Sequence, residues 1–333
     1  MNVHGSMLEF VNNNEFYNAL YPRMAAFLST TMIDNRIELP GQAGSGSLQF
    51  LSLGPGIAAS LTNIKLNEDV RFTNKKGTRL FYHLQFDETQ VKKEFQVKIE
   101  RDAVTFDEQF IASVLLTSSK SELSYVLPAD TIKKTVGIMF TVDWLKDYLQ
   151  TEKIETVIDS YLSLGLNHVN LEPFNYEYRR YFDEIFEVRQ DDPLRELHQR
   201  NRVMILIELF FTHLFKRLKS GTLFFTNRMK REDLYKMMEV EALLVADLTK
   251  PPTISELSAI TGISVSKLKS TFKTIYGMGL YEYFQKNRMQ KARSLLLAEN
   301  ISVKEVGVKV GYTNLSNFSL AFKKEFGVLP SQI

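Results

Sequence analysis

Two short stretches near the C-terminal end each gather small polar groups and lysines onto what would be one face of a helix. The first holds Ser266, Lys267, Lys269, Ser270 and Lys273; the second holds Ser316, Asn317, Ser319, Leu320, Lys323 and Lys324. Hydroxyls and amides hydrogen-bond the edges of base pairs, a leucine packs against a thymine methyl, and ammonium groups neutralise phosphates. The opposite face of each stretch is apolar: Leu268 and Phe272 in the first match Phe318 and Phe322 in the second. One such stretch is as readily a solvated face of a helical bundle as a binding face. Two with matched surroundings favour the binding face.

Those surroundings form an internal repeat. Its first copy is TISELSAITGISVSKLKSTFKTIYG (253–277) and its second is SVKEVGVKVGYTNLSNFSLAFKKEFG (302–327). Each opens on a capping box, Thr253 with Glu256 and Ser302 with Glu305, in which hydroxyl and carboxylate satisfy backbone donors at the start of a helix. Each short helix ends at a glycine, Gly262 or Gly311, able to take the left-handed conformation of a tight turn. Ser264 or Asn314 then caps a second helix, which Gly277 or Gly327 closes. Gly262 and Gly311 are 49 residues apart and Phe272 and Phe322 are 50 apart, so the second copy has one residue more after its turn. Between the copies, LYEYFQKNRMQKARSLLLAE (280–299) predicts a long helix with Tyr281, Phe284, Met289, Ala292, Leu295 and Leu296 on its buried side. The pattern is that of two helix-turn-helix units held apart by a rigid helix.

Composition narrows the rest. With 44% hydrophobic and 24% charged residues, the 333-residue chain has the balance of a globular protein of two or three domains. Its net charge of +2 is uneven: residues 249–333 carry ten Lys and two Arg against five Glu and no Asp, and the remainder is net acidic. That contrast suits a basic module that meets a polyanion, joined to one that does not. Cysteine is absent, which excludes disulfides, thiolate metal sites and a cysteine nucleophile. The histidines are scattered without a His-x-His pair, and neither a Gly-x-Ser-x-Gly elbow nor a phosphate-binding glycine loop occurs. Neither an enzyme nor a cofactor is expected. The N-terminus has no secretion signal, and the most apolar run, 203–215, is interrupted by Glu208 and His213, so a cytoplasmic protein is expected.

Residues 1–140 read as mostly strand. LQFLSL (48–53), SLTNIKL (60–66), RLFYHLQF (79–86) and FQVKI (95–99) are separated by the turn-like PGQAGSGS (40–47), GPG (54–56) and NKKG (74–77). From about Thr141 the period becomes helical, over 143–164 and again over 193–220. A helix as apolar as the second needs a partner, from its own domain or from a second subunit. The expected fold class is α+β: a small cupin-like β-barrel or sandwich followed by helices, then an all-α domain with two helix-turn-helix motifs joined by a long helix.

Residues from about 235 to 333 resemble the DNA-binding domain of the AraC/XylS family of transcriptional regulators. The residues that carry the resemblance are ISELS…TGIS…L…FK…G (254–277), YF…NRMQKARSLL (283–296) and ISVKEVGVKVGYTNLSNFSLAFKKEFGVLP (301–330). The chain departs from the family at Ser258 and Gly307, where alanine is favoured, and at Pro330-Ser331-Gln332-Ile333, where a Tyr-Arg pair usually follows the proline. The missing arginine removes one phosphate contact. The resemblance implies two recognition helices in successive major grooves of double-stranded DNA, about 34 Å apart. It implies base-reading roles for Ser266, Lys269, Ser270, Ser316, Asn317 and Leu320, backbone contacts for Lys273, Lys323 and Lys324, and a bracing role for Arg288. It further implies a β-rich sensor domain (1–140), a helical dimerisation or linker region (141–225) and the DNA-binding domain (231–333). Such a protein would be a homodimeric transcription activator that meets RNA polymerase and answers a small-molecule effector. Phe50, Phe81, His83 and Phe86 would line the effector cavity unless they are plain core. The alternative is a constitutive DNA-binding regulator without an effector, its N-terminal domain serving only dimerisation or a protein partner.

Overall fold

The computed structural model describes residues 7–106, 110–150, 154–165, 171–219, 231–298 and 301–333. Contacts divide the chain into two compact units, Met1–Glu172 and Pro173–Ile333.

In the N-terminal unit the strands are, in chain order, β1 (Leu8–Asn12), β2 (Arg36–Glu38), β3 (Gly44–Gly54), β4 (Ile57–Leu66), β5 (Val70–Asn74) and β6 (Phe81–Gln90). They continue with β7 (Phe95–Ile99), β8 (Asp102–Phe106), β9 (Phe110–Ser118), β10 (Leu123–Leu127) and β11 (Ile132–Thr141). The smaller sheet is ordered β1-β5-β10-β7-β8; the larger runs, from β9 to β2, as β9-β6-β11-β4-β3-β2. The sheets keep separate edges, so the expected barrel does not close and the sandwich alternative describes the unit. Helix α1 (Tyr17–Phe27) packs Tyr17, Leu20, Tyr21 and Ala25 into a core shared with Phe10, Ile37, Leu48, Ala58, Phe81 and Met139.

Strand parity decides what meets the interior. On β6, Tyr82, Leu84 and Phe86 are fully buried on one face, where Tyr82 meets Phe140 with ring centroids 5.9 Å apart. The other face carries His83, Gln85, Asp87 and Thr89. Opposite these on β11 stand Met139, Gly137, Thr135 and Lys133. The expected helix over 143–164 is two, α2 (Val142–Leu149) and α3 (Ile154–Gly165), with 151–153 outside the described residues. Gln150, in a left-handed conformation (φ 48°), ends α2.

The C-terminal unit is helical. Helix α4 (Tyr176–Phe186) starts at Asn175, whose side chain accepts from the backbone N–H of Tyr178. The apolar stripe of α5 (Arg195–Lys219), which includes Val203, Leu206, Phe210 and Leu214, is buried, and α4 is its main neighbour. Then follow α6 (Arg231–Ala246), α7 (Ile254–Thr261), α8 (Val265–Tyr276), α9 (Leu280–Ala298), α10 (Val303–Lys309) and α11 (Leu315–Phe326). Among the described residues no helix is long and apolar enough to cross a membrane.

One buried ion pair ties this unit together. Arg179 on α4 donates to Glu241 on α6 through Nε and Nη2, at 2.8 and 2.9 Å. Tyr283 on α9 donates its hydroxyl to the same carboxylate at 2.7 Å. Arg179 is 4% and Glu241 1% exposed, so neither charge would be tolerated there without the other.

Candidate nucleic-acid interface and interior cavity

Both repeat copies fold as paired helices around the devices read from their sequences. Thr253 accepts from the Glu256 N–H at 3.2 Å while Glu256 accepts from the Thr253 N–H at 2.6 Å. Ser302 and Glu305 make the same exchange at 3.2 and 2.8 Å. These bonds hold both carboxyls below their ordinary range, Glu256 chiefly through the Thr253 backbone and Glu305 chiefly through the Ser302 side chain. Gly262 (φ +65°) and Gly311 (φ +79°) make the two turns. Across the first turn the Ser258 hydroxyl donates to the Ile263 carbonyl at 2.6 Å and so ties the turn. Ser264 caps α8, and Asn314 caps α11 by accepting from Ser316 N and Asn317 N.

Each second helix hides one face and shows the other. Leu268 and Phe272 of α8, and Phe318 and Phe322 of α11, are fully buried. Gly307 faces Phe318, and an added Cβ would lie 3.3 Å from the ring. On the opposite faces Ser266, Lys267, Lys269, Ser270 and Lys273 are exposed, as are Ser316, Asn317, Leu320, Lys323 and Lys324. Ser319 is half-buried, and Leu320 is 67% exposed. Not all of the lysines are equally available. Lys267 is paired with Asp233 of α6 at 2.7 Å, an acidic neighbour distant in sequence that the helical pattern gave no sign of. The Ser270 hydroxyl donates to the Lys267 carbonyl at 3.1 Å.

The long helix α9 carries both units. Tyr283, Phe284, Met289 and Ala292 are buried. Tyr281, expected on that side, is 72% exposed, because the helix turns Tyr283 inward to the Glu241 carboxylate instead. Arg288 is buried as a brace: its Nε donates to the Val310 carbonyl at the end of α10, and its guanidinium lies 3.9 Å from the Tyr312 ring centroid. After Gly327, Pro330–Gln332 forms a single 3-10 turn.

A second feature lies inside the N-terminal sandwich. A cavity of about 150 Å³ is walled by α1 and both sheets, and an adjoining lobe of about 50 Å³ shares Gln85, Tyr125, Leu127 and Lys133 with it. Of the four residues expected there, His83 lines it, whereas Phe50, Phe81 and Phe86 do not. Tyr17 and His83 share a hydrogen bond of 2.5 Å. Burial lowers the His83 pKa to about 4, so the ring is neutral at neutral pH. Gly137 makes room for that bond, since a Cβ there would stand 2.3 Å from the Tyr17 hydroxyl. Lys133 and Asp87 pair at 2.5 Å, and Thr135 donates to the same carboxylate. No cluster of metal-ligating side chains occurs among the described residues.

The family match lies in the C-terminal unit. Residues 257–333 match a family described as a helix-turn-helix domain. The HTH-type transcriptional regulator GbdR of Pseudomonas aeruginosa is 30% identical over 95 residues, covering 28% of this chain and 26% of that protein. The xylose operon regulatory protein of Escherichia coli is 30% identical over 79 residues, covering 24% of this chain and 20% of its own length. The match thus spans about a quarter or less of these curated relatives. Among solved structures, a probable AraC family transcriptional regulator from Rhodopseudomonas palustris is 29% identical, covering 29% of this chain and 93% of that one, with a TM-score of 0.27.

Proposed function

We propose that this chain, whose residues 257–333 match a helix-turn-helix domain family, is a sequence-specific DNA-binding transcription regulator of the AraC/XylS type acting in the cytoplasm. The observation that carries the reading is the doubled unit: α8 buries Leu268 and Phe272 and exposes Ser266, Ser270 and lysines on the far side, and α11 buries Phe318 and Phe322 and exposes Ser316, Asn317 and lysines. Inserted into successive major grooves, those faces would meet base edges through Ser266, Lys269, Ser270, Ser316, Asn317 and Leu320. Lys273, Lys323 and Lys324 supply phosphate contacts, and Lys267, already paired with Asp233, supplies less. Ser319 lies at the edge of its face.

The N-terminal unit acts in this reading as the effector sensor and as a dimerisation module, and the regulator works as a homodimeric activator that touches RNA polymerase. An interior cavity dotted with polar side chains supports the sensor over a purely constitutive regulator, whose sandwich would be packed solid.

Selection of bound duplexes from a random library by the full chain tests the DNA reading. Enrichment of two blocks one helical turn apart is the expected result; binding with no enriched sequence would overturn it. Within an enriched site, Ser270→Ala should change preference at one base position while Lys323→Ala weakens every sequence alike.

A further inference from the structure

We propose that the cavity in the N-terminal sandwich takes an uncharged, single-ring molecule bearing one hydroxyl or amide, with that polar group placed on Gln85 and Tyr125. The inference deepens the sensor part of the proposed function and rests on it for its regulatory meaning.

Size sets the first limit. A cavity of about 150 Å³ is of the size that accommodates a benzene ring, and the lobe of about 50 Å³ beyond Gln85 leaves room for one small substituent. The walls suit a flat occupant. Phe72 stacks on Tyr125 with centroids 5.3 Å apart and planes 17° apart, and Phe10 stacks on Phe72 at 5.5 Å.

Charge sets the second limit. The ammonium group of Lys133 is 2.5 Å from Asp87, and both side chains are mostly buried. A carboxylate ligand would have to draw Lys133 away and leave Asp87 buried without its partner, and an ammonium ligand would do the reverse. Polarity sets the third. The hydroxyls of Tyr17 and Tyr21 are already bonded, to His83 and to Ser60. Gln85, 9% exposed and lining both lobes, has no hydrogen-bond partner for its amide among the described residues, and the Tyr125 hydroxyl has none either. A primary amide offers donors and an acceptor together, which an alcohol or another amide answers in full. A sugar would bring several hydroxyls against walls made largely of Leu20, Met24, Leu48, Ile64 and Phe72, where they would go unpaired.

The test is calorimetric titration of the 333-residue chain with toluene, benzyl alcohol, benzamide, benzoate and xylose. Benzyl alcohol and benzamide should bind saturably, benzoate about tenfold or more weaker, and xylose not at all. Gln85→Leu should reverse the order of benzyl alcohol and toluene. Should that variant fail to fold, Tyr125→Phe, which removes only the hydroxyl, should narrow the preference for benzyl alcohol over toluene. Leu20→Trp, which fills the cavity, should abolish ring binding. Equal affinity for benzoate and benzyl alcohol, an order untouched by both polar variants, or no binding of any ring would overturn the proposal. Operator affinity measured on the same protein separates the two readings. Ring binding without an effect on DNA affinity would uphold the ligand class and remove the sensor role, whereas selective DNA binding with no ring bound would defeat this inference alone.

Discussion

Alanine at Gly311 should destabilise the C-terminal unit far more than alanine at Gly262, although the two glycines make equivalent turns in the two repeat copies. Both sit at positive φ, +79° and +65°, so each substitution incurs the left-handed penalty of an L-residue, about 1 kcal/mol. Their surroundings differ. A Cβ at Gly262 meets nothing within 4 Å. At Gly311 it would lie 2.5 Å from the Thr249 carbonyl oxygen, 2.6 Å from Thr249 Cα and 2.7 Å from Arg288 Nη2. Two of those neighbours are backbone and cannot swing aside, and the third is the guanidinium that braces the turn through Val310 and Tyr312. Overpacking of this kind adds about 1–3 kcal/mol, giving about 2–4 kcal/mol in total for Gly311→Ala against about 1 for Gly262→Ala. Urea unfolding followed by far-ultraviolet dichroism, with m held in common, reads the difference. Costs for the two variants that agree to within about 0.5 kcal/mol would refute the packing argument and leave only backbone conformation.

Three further outcomes follow from the same geometry. Glu241→Leu leaves the Arg179 guanidinium buried without its carboxylate, and should cost about 3–5 kcal/mol in chemical unfolding. His83 should make the N-terminal unit acid-labile. The unfolded ring protonates near 6.5 and the folded one only near 4, so its contribution is complete above the first value and lost as pH falls toward the second. Unfolding measured at pH 7 and pH 5 should differ by about 2 kcal/mol more in the wild type than in His83→Gln. Lys323→Ala should lower the salt slope of DNA binding by about one unit, whereas Lys267→Ala, with Asp233 already at 2.7 Å, should lower it by less.

Local chemistry explains which parts of the architecture were legible in the sequence. Capping boxes, turn glycines and the spacing of Leu268, Phe272, Phe318 and Phe322 are set within a few residues, and the helices formed where those signals stand. Tyr281 failed because α9 has aromatic residues at 281, 283 and 284, and the side that is buried is chosen by Glu241, which lies 42 residues before Tyr283. Of the residues weighed as cavity lining or plain core, the phenylalanines are core and His83 lines the cavity. Phe86 and His83 are three apart on β6, so the alternation of a strand sends them to opposite faces; His83 and Gln85 face the cavity, Gln85, Asp87 and Thr89 face its lobe, and Phe81, on the same face as His83, packs into the neighbouring core. Separate sheets instead of a closed barrel, and the pairing of Lys267 with Asp233, are long-range outcomes that no short pattern specifies.

The buried bond between Arg179 and Glu241 has a bearing on how such a chain can be inherited in pieces. The family match covers residues 257–333 and the 95-residue likeness to GbdR reaches back at least to about Glu241 on α6, but the counter-charge, Arg179, lies well upstream on α4. A recombination event that joined a new sensor at residue 231 would transmit the carboxylate and discard the guanidinium, leaving the newcomer with an uncompensated charge at its centre. A crossover between Glu172 and Pro173 would carry both. Selection on gene fusions would therefore preserve a longer module than sequence similarity marks out, with its limit drawn by the reach of one arginine.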